Sequence, residues 1–240
     1  MAMDKLISGS RALGMDLSAG QLAQFDEYYR ALIDWNRRTN LTAITEYGEV
    51  QTKHFLDSLT VTLAMKDLSP DSLRIIDVGT GAGLPGVPLK IIFPHIRLVL
   101  LEATAKKADF LRFLVGTLGL EGVDIVTGRA EDVAHKPAYR ETFGVVVSRA
   151  VASLPTLVEL TLPFCMMGGR VIAQKQASAL TEIDQARRAI DLLGGQPRSV
   201  IEVNVPGLPP DRRLFVIDKT AQTPSTYPRR PGMPAKRPLP

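Results

Sequence analysis

The sequence predicts a doubly wound α/β fold: a mostly parallel, seven-stranded sheet with helices on both faces. Three observations predict it. From residue 74 onward, short apolar runs rich in β-branched residues alternate with helical patterns, an order that calls for parallel strands joined by crossovers. A glycine-rich turn, 79–86, follows the first of these runs and opens a helix, the arrangement found at the ligand-binding end of such sheets. The chain has 240 residues, 45% of them hydrophobic, and one cysteine, Cys165. A chain of that size buries a core without disulfides.

Residues 1–70 read as a helical cap. Ser18 and Gln21 have capping-box spacing, and Leu22, Phe25, Tyr29, Leu32 and Ile33 then recur on one helical face. The polar run 36–40 predicts a break, and a second helix is expected over 48–65. Ser69, Pro70 and Asp71 predict a turn. Residues 71–219 read as the α/β domain. Strands are expected at 74–78, 96–101, 123–127, 143–147, 169–173, 200–205 and 214–217, and helices at 85–93, 104–118, 153–166 and 179–192. Right-handed crossovers place those helices on both faces. Residues 220–240 hold six prolines and predict an extended, solvated tail without helix.

Charge separates the tail from the body. The net charge is +4, but residues 1–218 carry 24 bases against 25 acids, and the five bases from Lys219 on face no acid. A basic tail on a neutral body points to an anionic partner. One cysteine excludes an internal disulfide, a CxxC pair, a cysteine-rich zinc site and a radical iron–sulfur cluster; no metal site is expected. No apolar run approaches the roughly 20 residues of a membrane span, and 1–16 holds no signal-type stretch. The expected setting is the cytoplasm, with no membrane or DNA partner.

The sharpest motif is Ile75-Ile76-Asp77-Val78-Gly79-Thr80-Gly81-Ala82-Gly83-Leu84-Pro85-Gly86. Gly81-x-Gly83-x-x-Gly86 has the dinucleotide spacing, so a NAD-dependent oxidoreductase is one reading. Three acids favour S-adenosylmethionine. Asp77, two residues before Gly79, is placed to meet an ammonium group, which NAD lacks. Glu102, at the end of the second strand, is placed for ribose hydroxyls. Glu131, after the third strand, can accept the adenine amino group.

The acceptor is narrowed by what is missing. C5 methylation of a pyrimidine needs a cysteine nucleophile, and Cys165 sits in an apolar helix end. Exocyclic amine methylation commonly shows an Asn/Asp-Pro-Pro-aromatic loop after the fourth strand, where 147–154 reads Val-Ser-Arg-Ala-Val-Ala-Ser-Leu. A ring nitrogen such as guanine N7 needs neither device and no general base. Arg149, after the fourth strand, can pair with a carboxylate or phosphate, and alignment by it would be electrostatic.

Four stretches carry a family resemblance: 35–42 (Trp-Asn-Arg-Arg-Thr-Asn-Leu-Thr), 54–58 (His-Phe-Leu-Asp-Ser), 77–88 and 148–154, joined by the ending 227–239. The chain resembles the ribosomal RNA small subunit methyltransferase G family, also called glucose-inhibited division protein B, over nearly its full length. The resemblance implies a bacterial, monomeric class I methyltransferase acting on guanine N7 of 16S rRNA, free or in a small-subunit particle. It implies cofactor contacts at Gly79, Leu84, Glu102, Ala103, Thr104, Ala130, Glu131 and Arg149, beside Asp77, Gly81 and Gly83 of the loop. Candidate RNA contacts are Lys53, His54, Lys175, Arg229, Arg230, Lys236 and Arg237. One departure is Ala173-Gln174-Lys175-Gln176, where members often have Ala-Leu-Lys-Gly. A non-catalytic RNA-binding protein that keeps the loop is the third reading.

Overall fold

The computed structural model describes residues 3–69, 73–149 and 152–240. Pro70 and Asp71 of the expected turn, and Ala150 and Val151 after the fourth strand, lie outside the described residues.

Seven strands form one sheet: β1 (Arg74–Val78), β2 (Arg97–Glu102), β3 (Val123–Thr127), β4 (Phe143–Arg149), β5 (Cys165–Gln176), β6 (Gly195–Glu202) and β7 (Arg212–Lys219). Their order is β3-β2-β1-β4-β5-β7-β6. The first five run parallel, and β7 lies antiparallel between β5 and β6. The order reverses between β1 and β4, so the carboxyl ends of β1 to β4 face one crevice.

Strand alternation divides the core. Ile75, Leu98, Leu100, Val145, Val147 and Ile172 pack to one side, under α1 (Asp4–Ala12), α2 (Ala19–Thr39), α3 (Tyr47–Val50), α4 (Asp57–Leu59), α5 (Gly86–Ile92) and α6 (Ala105–Thr117). Ile76, Val99, Leu101, Val146, Val171 and Phe215 pack to the other. There they meet α7 (Ala130–Val133), α8 (Leu154–Thr161), α9 (Glu182–Leu192) and Leu239 of the tail. Burial on both faces explains why these strands read as continuous apolar runs.

α2 has both halves of its capping box: Gln21 N–H donates to Ser18 Oγ and Ser18 N–H to Gln21 Oε1. It continues through residues 36–39, where the polar run predicts a break, and ends at Asn40 in a left-handed conformation (φ 46°). The reason is Asn36. It stays helical while its side chain closes the following loop, accepting from Leu41 and Thr42 N–H at 2.7 and 2.9 Å. The helix expected over 48–65 is uneven: Gln51–Leu56 is π-wound, Asp57–Leu59 is α and Thr60–Ala64 is 3-10.

β6 starts five residues before the expected 200, because its ladder with β7 recruits exposed polar residues that an apolar pattern cannot mark. The tail differs most from expectation. Met233–Lys236 forms one helical turn, α10, and Tyr227, Pro234 and Leu239 pack against the body. Lys219 is fully buried, donating to the Leu162 and Leu193 carbonyls and to Thr223 Oγ1, and paired with Glu141 at 3.1 Å. No helix among the described residues is long and apolar enough to cross a membrane.

Candidate cofactor site and its polar surroundings

The loop after β1 turns through three left-handed glycines: Gly79 (φ 72°), Gly81 (59°) and Gly83 (91°). Residues with a Cβ avoid this region. Gly79 and Thr80 N–H donate to the Leu101 carbonyl, tying the loop to β2. The cap holds the other side, where Tyr28 Oη donates to the Ala82 carbonyl. A Cβ on Gly83 would stand 2.9 Å from that hydroxyl.

Asp77 lies beneath the loop, fully buried. Its Oδ2 accepts from Thr80 Oγ1 (2.6 Å) and Gly86 N–H (2.8 Å), clamping the loop to the start of α5. Its Oδ1 has no partner. Burial raises this carboxyl from 3.8 to about 6, against the pull of the Thr80 and Gly86 hydrogen bonds and the Arg149 charge. Buried acceptors are nearly always satisfied. An orphan oxygen beside a glycine turn therefore fits the ammonium of S-adenosylmethionine.

Glu102, also buried, accepts from Gly81 N–H (3.0 Å) through Oε2 and from Thr104 N–H (2.8 Å) through Oε1. Ala103 and Thr104 are exposed at the start of α6. The Leu84 side chain belongs to the core. Ala130 and Glu131 open α7, and Glu131 Oε1 accepts from Gly232 N–H of the tail at 2.9 Å. A cavity of about 230 Å³ lies among these strand ends, lined by Gly79, Ala103, Ala130 and Glu131 of the strand ends and by Thr156, Gly232, Pro234 and Ala235.

Arg149 ends β4 and reaches toward the cap. Its Nη1 donates to the Lys53 carbonyl and to Asp57 Oδ2, both at 3.1 Å. Asp57 is buried and pairs also with Arg212 at 3.0 Å. Burial pushes its carboxyl up, and the two arginines oppose that rise. The Asp57 carbonyl accepts from Gln174 Nε2 at 2.6 Å. Sequence carries little signal for this Arg149–Asp57–Arg212 cluster: Asp57 lies within the 54–58 motif, and nothing near Arg212 in sequence marks it.

Of the other predicted positions, Lys53 and His54 adjoin Arg149, with His54 Nδ1 3.5 Å from Arg149 Nη2. His54 is buried, its Nε2 2.7 Å from Thr42 Oγ1, and burial with the Arg149 charge lowers it to about 4. Lys53 is half-exposed and pairs with Glu49. Lys175 donates to the Ala152 carbonyl (2.8 Å) and pairs with Glu182 (2.7 Å). Arg229 forks onto the fully buried Glu159, with Nη2 to Oε2 at 2.6 Å and Nε to Oε1 at 2.9 Å. Arg230, Lys236 and Arg237 are exposed. Cys165 is buried and its thiol pushed up to about 12 by burial, which leaves no thiolate for nucleophilic attack at neutral pH. Among the described residues no group of His, Cys, Asp or Glu is arranged to hold a metal.

The strand order, the glycine turn and the carboxylates at successive strand ends define a class I S-adenosylmethionine-dependent methyltransferase fold. An O-methyltransferase from Bacillus cereus, solved in complex with SAH, superposes with a TM-score of 0.56 at 18% identity, covering 81% of this chain and 91% of that one. The sequence is more specific. A ribosomal RNA small subunit methyltransferase G from Dehalococcoides mccartyi is 53% identical over 237 residues, 99% of this chain and 100% of that protein. One from Roseiflexus is 47% identical with the same coverage. The sequence model of the rRNA small subunit methyltransferase G family (GidB) matches residues 21–214. The chain belongs to that family, and its cofactor is S-adenosylmethionine. Neither the oxidoreductase nor the non-catalytic reading finds support in these relatives.

Proposed function

We propose that this protein methylates N7 of a guanine in 16S rRNA. The observation that carries the reading is the set of three carboxylates, Asp77, Glu102 and Glu131, at the ends of β1, β2 and β3 around one glycine turn. Asp77 would receive the ammonium, Glu102 the ribose hydroxyls and Glu131 the adenine amino group. Gly79, Gly81, Gly83, Leu84, Ala103, Thr104 and Ala130 would contribute backbone around them. Bound S-adenosylmethionine supplies an electrophilic methyl group on a sulfonium.

Guanine N7 offers a lone pair and loses no proton, so the side chains need only align and stabilise charge. His54, neutral and bonded to Thr42, is not asked to take a proton. Arg149 is held by the Lys53 carbonyl and by Asp57, whose other oxygen pairs with Arg212. Its charge opposes the burial-driven rise of the Asp77 carboxyl, which supports an aligning electrostatic role. We assign phosphate contacts to Arg230, Lys236, Arg237 and Lys53. His54, Lys175 and Arg229 are bonded within the protein and would hold the surface in shape. The reading includes a cytoplasmic monomer of three parts, cap 1–70, catalytic domain 71–219 and tail 220–240, acting on rRNA or a small-subunit particle.

Mapping methylated guanines in 16S rRNA from cells with and without the gene tests the reaction. One N7-methylguanine that disappears with the gene is the expected result; an unchanged map overturns it.

A further inference from the structure

The C-terminal tail reads from sequence as a solvated basic arm, yet it is fastened to the body at closely spaced points. Arg140 donates to the Thr223, Pro224 and Tyr227 carbonyls at 2.8, 3.1 and 2.9 Å. Arg229 forks onto Glu159, whose carboxylate is fully buried, and its backbone N–H donates to the same Oε1 at 2.8 Å. Thr156 Oγ1 donates to the Pro234 carbonyl at 3.1 Å, and Leu239 is buried. A buried carboxylate is strongly destabilising without its partner, so the Arg229 pin commits the segment to this face.

What the pin holds in place is a wall. Gly232, Pro234 and Ala235 line the cavity together with Gly79, Ala103 and Ala130. Gly232 N–H donates to Glu131 Oε1, and among the described residues Oε2 has no hydrogen-bond partner. We propose that Gly232, Pro234 and Ala235, held by the Arg229 pin, form the purine-side wall of the S-adenosylmethionine site, and that Gly232 N–H turns Glu131 so that Oε2 reads the adenine amino group. Gly232 and Arg229 are then positioning residues for cofactor specificity. The proposal rests on the reading of Glu102 and Glu131 as cofactor contacts.

The test is calorimetric binding of S-adenosylhomocysteine and of S-inosylhomocysteine, whose purine carries an oxygen where adenine has the amino group. Wild type should prefer the adenine ligand. Arg229→Ala should bind S-adenosylhomocysteine at least about tenfold more weakly and lose the preference. Ala235→Trp leaves every anchor intact and fills the wall, so it should weaken both ligands even if Arg229→Ala fails to fold. Glu102→Gln serves as control and should weaken both ligands equally while the preference survives. Wild-type affinity and preference in folded Arg229→Ala, or wild-type affinity in Ala235→Trp, overturns the wall. Wild-type affinity in Glu102→Gln instead overturns the site reading on which the wall rests.

Discussion

Asp77 uses one oxygen twice and the other not at all, and its titration follows from that. Its carboxyl is raised from 3.8 to about 6, so the folded protein favours the protonated form. The associated stability is fully present below pH 3.8 and is lost as pH rises through about 6, a loss of about 3 kcal/mol. Asp77→Asn should therefore unfold no earlier than wild type in urea at pH 8, while binding S-adenosylmethionine at least about tenfold more weakly. Lower stability together with unchanged affinity would contradict the ammonium role. In wild type the affinity should fall about tenfold per pH unit below 6, as protonation of Asp77 competes with the ammonium; in the Asn variant this dependence should vanish. His54 has the opposite sense. Lowered from 6.5 to about 4, it contributes stability that is complete above pH 6.5 and is lost as pH falls toward 4, about 2 kcal/mol by pH 5. Urea unfolding of His54→Gln in the Asp77→Asn background should show a flatter profile between pH 6.5 and 5.

The glycine loop is the element whose geometry tolerates least change. A Cβ on Gly83 would meet Val87 Cγ2 at 2.8 Å and the Tyr28 hydroxyl at 2.9 Å, at a φ of +91°. Backbone strain and overpacking together should make Gly83→Ala about 2–4 kcal/mol less stable, read from the urea midpoint. Gly86→Ala sets its Cβ 2.9 Å from Asp77 Oδ2. It should dislodge the carboxylate and weaken cofactor binding more than it lowers stability. Elements with apolar periodicity were legible: β1 and β3 coincide with their expected ranges, and α5 and α6 lie within one residue at each end. The end of α2 and the start of β6 were not. Asn36 looks like a helix breaker until its loop contacts are seen, and β6 is ordered by its neighbour's ladder.

Over the whole molecule, the tail's charge and its packing belong to different residues. Lys219 and Arg229 face inward onto Glu141 and Glu159, while Arg230, Lys236 and Arg237 remain exposed. Deleting the tail would also remove core contacts, so neutralising the three exposed bases is the cleaner test. The triple change to Gln should leave S-adenosylmethionine affinity unchanged. If two or three of these bases touch phosphates, the slope of log affinity for rRNA against log salt should fall by roughly 1.4–2.7. Equal slopes for a folded variant would remove the tail from the RNA interface.

The sequence alone determined the fold class, the glycine turn and the acids beside it, because strand alternation and left-handed glycines are local demands that leave local marks. The order of the sheet and the meeting of Arg149, Asp57 and Arg212 were decided by tertiary structure, since these residues lie 63 to 155 positions apart. The tail shows the same division. Its prolines and bases describe an exposed chain, but the partners that bury it, Glu159, Glu131 and Arg140, lie about 70 to 100 residues upstream. A carboxylate buried in α8 leaves no local signal of the arginine that will neutralise it, because the desolvation that demands a partner exists only once the chain has folded.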